Sequence, residues 1–577
     1  MKCSFFLVLF LLISEAVFGA FLPPNEARID EIAAWLPEKP APLHPDFRPS
    51  GRTTGRKRAR EVRATPVPAF DLEAYNEFWT TGNRTHFQKW RGQFLGDLNL
   101  LIDLETSERK GLFLQAIADR LEAVCTWPSW TLNAHDRRRE AIDKGKPVVG
   151  LTSSALARRL AETLVLLGDR LPTGTVARVR GEIDSRVLRP YLEFAARTAP
   201  AKKCPSFSWF FGRNNWNAVC HCECVCAALA IVSDRRTRAR FIEAAERAMP
   251  SYLAGFASDG YCSEGMGYWN YGFGHFQALG LAVRTATDGK VDFFADPKAK
   301  AAMRYAFAYQ LQKNRSPRFA DGGGNPVRNF LERGCQIWPD LRTECEGVLP
   351  PRSAFPDGQV WLLRAADEKG RPLAIACKGG NNNECHNHND VGSYTIMLDG
   401  TFVTGDPGGE VYTRRTFSKD RYQSNVLNSF GHPVPRVGGQ LQPKGEAYSA
   451  RIVRTAFSNE VDEVTLDLTA AYACPTLTSL VRTFRLDRTA CRIEIVDRVK
   501  FSEPTAFDDP VVNEDLPGQL LPEVRVTGGT WVWKTDRIVN PDRPDVLRRS
   551  VTFTEPVREA EVVFTFVVRV GAAEPEG

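Results

Sequence analysis

The sequence has no long hydrophobic run that could cross a membrane. The apolar segment near its start, Phe5–Ile13, has nine residues, whereas a spanning helix needs about 20. A Gly-x-Ser-x-Gly elbow is also absent, as are Walker and dinucleotide-binding loops. These absences exclude a membrane-spanning helix and enzymes that depend on phosphate-bearing cofactors.

An excess of charge of one sign is lacking as well. The 577 residues carry a net charge of +6, with an isoelectric point of about 8.6. This basic character is too weak to predict a nucleic acid as partner, but it permits an acidic ligand. The composition, 43% hydrophobic and 25% charged, is typical of a globular protein. At about 150 residues per domain, the length predicts two to four domains.

Residues 1–19 are typical of a secretory signal peptide. Lys2 precedes the apolar run, and the small residues Gly19 and Ala20 follow it. We therefore expect cleavage after Gly19 and a secreted or periplasmic protein. Removal of Cys3 would leave 13 of the 14 cysteines. Because this number is odd, at least one thiol would stay outside any disulfide framework.

Residues 20–70 form an expected N-terminal extension. The segment is rich in proline, and Arg48–Arg63 contains seven basic residues against one acidic residue. Such a charge run is typical of a solvated linker or an extended arm. The alternative is an arm that attracts an anionic ligand to the site.

Two patterns of hydrophobic spacing divide the rest of the chain. Across residues 71–350, apolar residues such as Leu156 and Leu160 recur at helical spacing. Across residues 351–577, short strand-like runs such as Tyr394–Leu398 are separated by turns rich in glycine and proline. We therefore predict a multidomain α+β protein, in which an array of helical hairpins precedes an antiparallel β-sandwich.

The densest polar segment, Asn381–Asp390, holds two of only eight histidines, His386 and His388. On a strand, positions i and i+2 face the same side, so both imidazoles could enter one site. Asp406 and His432 follow downstream. Two histidines and one carboxylate are a usual ligand set for zinc with one position left open. The alternative is that these side chains only hydrogen-bond the loops around them.

A second cluster falls at two predicted helix starts, Asn214–Asn217 and Glu264–Gly272. Aromatic faces stack on sugar rings, and amides together with helix dipoles favour anions, so this combination suits sugar binding. The alternative places the tryptophan and tyrosine rings in the core. Four glycines from Gly265 to Gly274 indicate a tight turn or a backbone that lies close to a ligand.

Four alternating cysteines occupy the segment Cys220–Cys226. On a helix, Cys222 and Cys226 face away from the other two, so one tetrahedral metal site could not easily collect all four thiolates. We interpret them as small buried hydrophobic residues, with disulfides or a metal site as the alternative.

Together these segments resemble the heparinase II/III-like family of polysaccharide lyases, over about residues 110–570. The resemblance rests on segments that occur in the family's order: Asn214–Asn217, Glu264–Gly272, His386–Ser393, and Ser424–Leu427 with His432. It implies an incomplete (α/α) toroid over residues 71–350 and a β-sandwich over residues 351–577. Members of the family cleave a glycosidic bond beside a uronate by β-elimination and leave a 4,5-unsaturated sugar.

The resemblance also implies catalytic roles for three residues. Asn215 matches the position that binds the uronate carboxylate, Tyr271 the phenol used as acid or base, and His386 the catalytic imidazole. Since a phenol ordinarily titrates near ~10, we expect Tyr271 to be the acid and His386 the base. The alternative is a single tyrosine that performs both steps.

Other positions correspond to the substrate cleft and the metal site. The expected substrate contacts are His135, Trp216, Glu264 and Tyr268, with Trp216 standing where several members carry a histidine. The expected metal ligands are His388, Asp406 and His432. We expect them to hold a structural Zn²⁺, because an enolate-like intermediate needs no metal hydroxide.

The sequence therefore predicts a secreted polysaccharide lyase whose partner is an acidic polysaccharide of glycosaminoglycan or alginate type. A uronyl C5-epimerase on the same scaffold and a glycan-binding protein without catalysis are the alternatives. Neither a nucleic-acid partner nor a membrane span is expected. The identity of the polymer and the oligomeric state, with a homodimer as one option, stay open.

Overall fold

The structure is a computed structural model that describes residues 21–47, 54–198, 207–516 and 521–567. The predicted signal peptide lies outside the described residues. The chain folds into two compact units. Unit 1 comprises residues 1–255, 271–296 and 412–415, and unit 2 comprises residues 256–270, 297–411 and 416–577.

Helices are the regular elements of the described chain up to residue 346. They are α1 Glu26–Trp35, α2 Arg56–Ala64, α3 Leu72–Thr80, α4 Thr85–Glu108, α5 Leu114–Thr126, α6 Glu140–Lys144, α7 Leu151–Leu167, α8 Thr173–Ile183, α9 Arg189–Ala195, α10 Asn215–Ile231, α11 Arg235–Leu253, α12 Met266–Ala286, α13 Pro297–Ala308, α14 Arg328–Ile337 and α15 Arg342–Glu346. A π-helical turn, Asp184–Leu188, joins α8 to α9.

Hydrophobic spacing decides which helix faces are buried. In α5 the buried side chains include Ile117, Leu121 and Val124 at the predicted spacing. Helix α10 differs, because every residue from Asn217 to Ile231 is buried while it packs against α7 and α11. It begins where the sequence predicts, since the Asn214 side chain accepts a hydrogen bond from the backbone N–H of Trp216 at 3.2 Å.

The N-terminal extension differs from the linker that its charge predicts. Helix α1 packs against α11, where Arg28 pairs with Glu246 at 2.7 Å. Helix α2, within the basic run, buries Ala59 and Val62. The expectation of a solvated arm is therefore wrong for these two helices. Apolar residues three positions apart give α2 a buried face that a count of charges does not register.

Strands replace helices between Glu346 and Arg352. They are β1 Arg352–Phe355, β2 Val360–Ala366, β3 Pro372–Lys378, β4 Asn381–Asn382, β5 Tyr394–Leu398, β6 Thr401–Gly405, β7 Arg436–Val437, β8 Gly445–Ser449, β9 Arg451–Phe457, β10 Val461–Asp467, β11 Leu477–Asp487, β12 Arg492–Thr505, β13 Phe507–Glu514, β14 Glu523–Thr527, β15 Trp531–Ile538, β16 Val546–Phe553 and β17 Val557–Val567.

The sheets have the orders β1-β2-β3-β5-β6, β14-β17-β12-β11-β10-β9, β15-β16-β13-β7 and β4-β8. Neighbouring strands pair antiparallel, for example β11 with β12. Alternate residues such as Phe484 and Ile495 point into a hydrophobic core shared by the larger sheets. The predicted turn at Asp399–Gly400 has φ values of 43° and 78° and joins β5 to β6 as a tight hairpin.

Helices followed by an antiparallel sandwich confirm the predicted fold class. The compact units do not follow the predicted limit near residue 350, because helices α13 to α15 belong with the sandwich in unit 2. Within the described residues, no helix is both long enough and apolar enough to cross a membrane.

The cysteines of the described segments are all free thiols. Cys220, Cys222, Cys224 and Cys226 are buried along α10. Burial raises the pKa of the first three of these thiols well above the ordinary value. They therefore stay protonated and serve as the small hydrophobic residues that the sequence analysis expects.

Candidate functional site

The predicted site residues divide between the two units. Unit 1 holds His135, Asn215, Trp216 and Tyr271, and unit 2 holds Glu264, Tyr268, His386, His388, Asp406 and His432. Within each unit they cluster with residues that the sequence analysis did not single out.

His386 lies in a turn rather than on the strand that the sequence analysis assumes. Strand β4 ends at Asn382, before the two histidines. The φ of His386 is 56°, in the left-handed region that residues other than glycine seldom adopt. The prediction that His386 and His388 lie on one face of a strand is therefore wrong. Such a strained backbone is most often retained at a functional site.

Both imidazoles nevertheless converge on one carboxylate, that of Asp321. His386 Nδ1 lies 2.9 Å from Asp321 Oδ2, and His388 Nε2 lies 3.0 Å from Oδ1. Arg421 Nη2 also donates to Oδ1, at 2.8 Å. Although burial disfavours the charged form, these three partners hold the pKa of Asp321 well below its ordinary value. Because an ionised carboxylate only accepts hydrogen bonds, each of these imidazole nitrogens carries a hydrogen.

Tyr268 covers one face of the His386 ring. The two ring centroids lie 4.1 Å apart and the planes are inclined by 26°, which is a stacked arrangement. Glu264 is buried in the same unit, and burial raises the pKa of its carboxyl while His386 partly offsets the shift. An acid that resists ionisation can donate a hydrogen bond to a sugar oxygen without repelling an acidic polymer.

The glycines before and within α12 serve close backbone approach inside unit 2. A Cβ on Gly267 would lie 2.7 Å from the carbonyl oxygen of Gly323. Gly265 has a φ of 90°, and a Cβ on it would lie 2.8 Å from the carbonyl oxygen of Gly322. The first two glycines of the run are therefore explained by the Asp321–Gly324 loop, which they let approach the helix start.

His388, Asp406 and His432 form a buried cluster of possible metal ligands. One ligand atom from each lies within 4.8 Å of the others. His432 Nδ1 is 3.0 Å from Asp406 Oδ2. His388 Nδ1 and His432 Nε2 are buried and have no hydrogen-bond partner among the described residues. Buried nitrogens are rarely left unsatisfied, so this donor set fits a metal ion.

In unit 1, Asn215 at the start of α10 lies against Gly272, the residue after Tyr271 in α12. A Cβ on Gly272 would lie 3.0 Å from Asn215 Cβ and 2.9 Å from the Tyr252 hydroxyl. Asn215 is 4% exposed, and its Oδ1 has no hydrogen-bond partner among the described residues. Tyr271, the neighbour of Gly272, is 36% exposed. A ligand could therefore reach the phenol.

His275 lies one turn after Tyr271 and packs against it edge-on, with ring centroids 5.1 Å apart. Its Nδ1 is 2.6 Å from the Tyr271 carbonyl oxygen, and its Nε2 is 3.1 Å from Glu223 Oε1. Although burial disfavours the charge of Glu223, Arg158 and His275 hold the pKa of this carboxyl at about 2. His275 therefore links the backbone of Tyr271 to the Glu223 carboxylate.

His135 is a neutral imidazole surrounded by arginines. Burial lowers its pKa to about 3, and the guanidinium groups of Arg84, Arg137 and Arg91 add to the shift. Its ring centroid lies 4.8 Å from that of Trp216, at an interplanar angle of 62°. The ring can exchange hydrogen bonds with a sugar, but it carries no charge at neutral pH.

Sequence reasoning missed Asp321, His275, Glu223 and Arg91. Asp321 has a usable signal, a carboxylate directly before three glycines in a loop between helices. His275 also has one, because it stands four residues after Tyr271 on a predicted helix and therefore on the same face. Glu223 lies inside the cysteine segment, and Arg91 has no local signal.

No protein-family model and no curated protein matches this sequence. Solved structures do match. A heparinase III with methylated lysines superposes with a TM-score of 0.60 and 12% identity, covering 91% of this chain and 86% of that one. Another heparinase III has a TM-score of 0.59 and 13% identity over 82% and 76% of the two chains. A heparan sulfate lyase from Pedobacter heparinus has a TM-score of 0.57 and 12% identity over 94% and 88%. The chain therefore has the heparinase-like fold of these polysaccharide lyase structures.

Proposed function

We propose that the protein is a polysaccharide lyase that cleaves a uronate-containing glycan by β-elimination. The observation that carries the proposal is the His386 imidazole, which Asp321 anchors through Nδ1 and Tyr268 covers on one face. An imidazole fixed in one tautomer and one orientation is suited to proton transfer. The heparinase-like fold adds the substrate class, since its neighbours bear the names of heparin and heparan sulfate lyases.

In the proposed reaction, His386 removes the C5 proton of the uronate. Its Nδ1–H is held by Asp321, so Nε2 presents the lone pair that accepts this proton. The electron pair of the C5–H bond is first delocalised onto the uronate carboxylate as an enolate-like intermediate. It then forms the C4–C5 double bond while the bond from C4 to the leaving oxygen breaks. Asp321 then stabilises the imidazolium that His386 becomes.

Asn215 and Tyr271 supply the remaining roles. Asn215, at the N-terminus of α10, hydrogen-bonds the uronate carboxylate and so stabilises the enolate-like intermediate. Tyr271 donates its phenolic proton to the leaving oxygen. The alternative is that Tyr271 acts as the base, which needs a nearby cation to stabilise the phenolate; a protonated His275 beside Tyr271 would supply that charge.

We further propose that His388, Asp406 and His432 hold a Zn²⁺. When bound, the ion would cross-link and stabilise three loops, because His388 follows β4, Asp406 follows β6 and His432 precedes β7. Asp406 is tied by a hydrogen bond from the Ser393 hydroxyl at 3.1 Å and from the Gly408 N–H at 2.8 Å. These bonds orient the carboxylate toward the two histidines.

Secretion is also proposed, on the sequence of residues 1–19. N-terminal sequencing of the exported protein should begin at Ala20. A mature protein that still begins at Met1 would contradict the proposal.

The lyase activity is tested by incubating the mature protein with heparan sulfate, heparin, alginate and other uronate polymers. Formation of the unsaturated uronate is followed by its ultraviolet absorbance. Tyr271→Phe and His386→Ala should each lower kcat by about 10²- to 10⁴-fold. His86→Ala is the matched control, because His86 is an exposed histidine on α4 that pairs with Glu77.

Two other outcomes would contradict the proposal and favour the alternatives. Entry of solvent deuterium at C5 without chain cleavage would indicate an epimerase, because that reaction returns the proton to the same carbon. Binding of a polymer with neither cleavage nor exchange would indicate a glycan-binding protein.

A further inference from the structure

Arg91 is a cation without a counter-ion. It lies on α4, where Nη2 donates to the carbonyl oxygens of Thr152 at 3.0 Å and Trp130 at 3.5 Å. Its Nε is enclosed and has no partner among the described residues. No carboxylate of the described residues forms an ion pair with it. Arg91 is half-buried, and a charge partly removed from water is normally paired because its desolvation is costly.

Other arginines of unit 1 are held in two ways. Arg120 and Arg238 are almost fully buried and donate to backbone carbonyl oxygens. Arg158, on α7, is paired with both Glu162 and Glu223. Arg170 pairs with Glu105 at 2.8 Å. Arg91 has no ion pair among the described residues and donates to carbonyls, but unlike Arg120 and Arg238 it is only half-buried. An anion from solvent can therefore reach its uncompensated charge.

The groups around Arg91 belong to the candidate site. Burial lowers the pKa of Arg91 to about 10, and an electrostatic interaction with Tyr271 opposes this shift. Hydrogen bonds also connect Arg91 to His135, which is expected to touch substrate. Arg91 donates to the Thr152 carbonyl, and the Thr152 hydroxyl accepts from the N–H of Leu132, directly before the turn that carries His135.

We propose that Arg91 binds an anionic substituent of the glycan, either a uronate carboxylate or a sulfate. The inference rests on the proposed function and names a binding residue for it. Both groups present two or three oxygens that match the planar fork of a guanidinium. The anion would supply the counter-charge that the protein itself does not provide, and it would place the sugar beside Tyr271.

The test is direct binding by calorimetry, in a His386→Ala background so that turnover does not consume the ligand. The probes are a heparan sulfate oligosaccharide and its unsulfated, N-acetylated counterpart. Arg91→Met, which keeps the length of the stem, should weaken binding by about tenfold to a hundredfold. Arg91→Lys should restore part of this loss, because the charge returns without the fork.

The two probes distinguish the two sources of the anion. Weaker binding of both oligosaccharides would assign Arg91 to the carboxylate. Weaker binding of the sulfated oligosaccharide alone would assign it to a sulfate. Both results support the inference.

Arg120→Met is the matched control. Arg120 is a buried arginine on α5 that likewise donates to two carbonyl oxygens, those of Ala116 and Val62. Urea unfolding should show that both methionine variants remain folded. Equal affinity of the Arg91→Met and Arg120→Met proteins for both probes would overturn the inference, as would failure of the parent protein to bind either probe. Binding without cleavage by the wild-type protein would overturn only the lyase function.

Discussion

Replacement of Asp321 by asparagine should abolish the basicity of His386 while leaving the site in place. Arg421 and His388 both donate to Asp321 Oδ1, at 2.8 and 3.0 Å. In the variant, the amide oxygen must occupy that position, because an NH₂ group there would face two donors. The amide nitrogen then faces His386 Nδ1, which lies 2.9 Å from the present Oδ2.

This orientation forces the other tautomer on His386. The amide N–H donates to Nδ1, so the ring hydrogen moves to Nε2, and the lone pair that takes the C5 proton is lost. We expect kcat to fall by about 10²- to 10⁴-fold, and the corresponding change in the serine-protease triad costs about 10⁴-fold. Loss of the charged acceptor should also cost about 2–4 kcal/mol of unfolding free energy.

Asp462→Asn separates these two effects. Asp462 is a fully buried carboxylate in the sandwich, paired with Arg352 at 3.0 Å and with Arg488, and it has no histidine partner. Asp462→Asn should lower the free energy of unfolding in urea about as much as Asp321→Asn does, but it should leave kcat unchanged. If Asp321→Asn lowers kcat no more than Asp462→Asn does, then Asp321 does not set the tautomer of a catalytic base.

Three further predictions follow from the same contacts. Elemental analysis should find zinc in the wild-type protein and in His86→Ala but not in His388→Ala; equal zinc in the two variants would refute the ligand assignment. Gly272→Ala should displace Asn215, lower kcat and lower the free energy of unfolding by about 1–3 kcal/mol. Gly96→Ala is its control, because the added Cβ meets nothing within 4 Å. That variant should raise the free energy of unfolding by up to about 1 kcal/mol. Burial lowers the pKa of His221 to about 3. Below about pH 6.5 the unfolded chain therefore binds a proton at this histidine that the folded chain does not bind. The free energy of unfolding should fall by up to about 1.4 kcal/mol for each pH unit toward acid. Urea unfolding at two pH values should therefore show less acid sensitivity in His221→Gln than in the wild type, and equal sensitivity would contradict the assigned burial effect.

Local patterns predicted helices and strands well wherever the buried hydrophobic residues recur at a single spacing. The leucines of α7 and the alternating residues of β11 and β12 each bury one face, so spacing alone indicates the element. The same holds for the N-cap Asn214, whose side chain satisfies a backbone N–H that any helix start leaves open. The basic run Arg48–Arg63 predicted a solvated linker because its charges outnumber its apolar residues. Ala59 and Val62 nevertheless give α2 its buried face.

The sequence by itself determined the order of helices and sandwich and the position of the polar segment at Asn381–Asp390. Both follow from local composition and spacing. The choice of His388, Asp406 and His432 as metal ligands came from the family resemblance and stays a prediction. Only the tertiary structure decided which groups meet. It brought Asp321 to His386, Glu223 to His275, and Arg91 to a place without a counter-ion. The reason is that protonation state and orientation depend on partners far away in sequence, and local spacing carries no information about a carboxylate 65 residues distant.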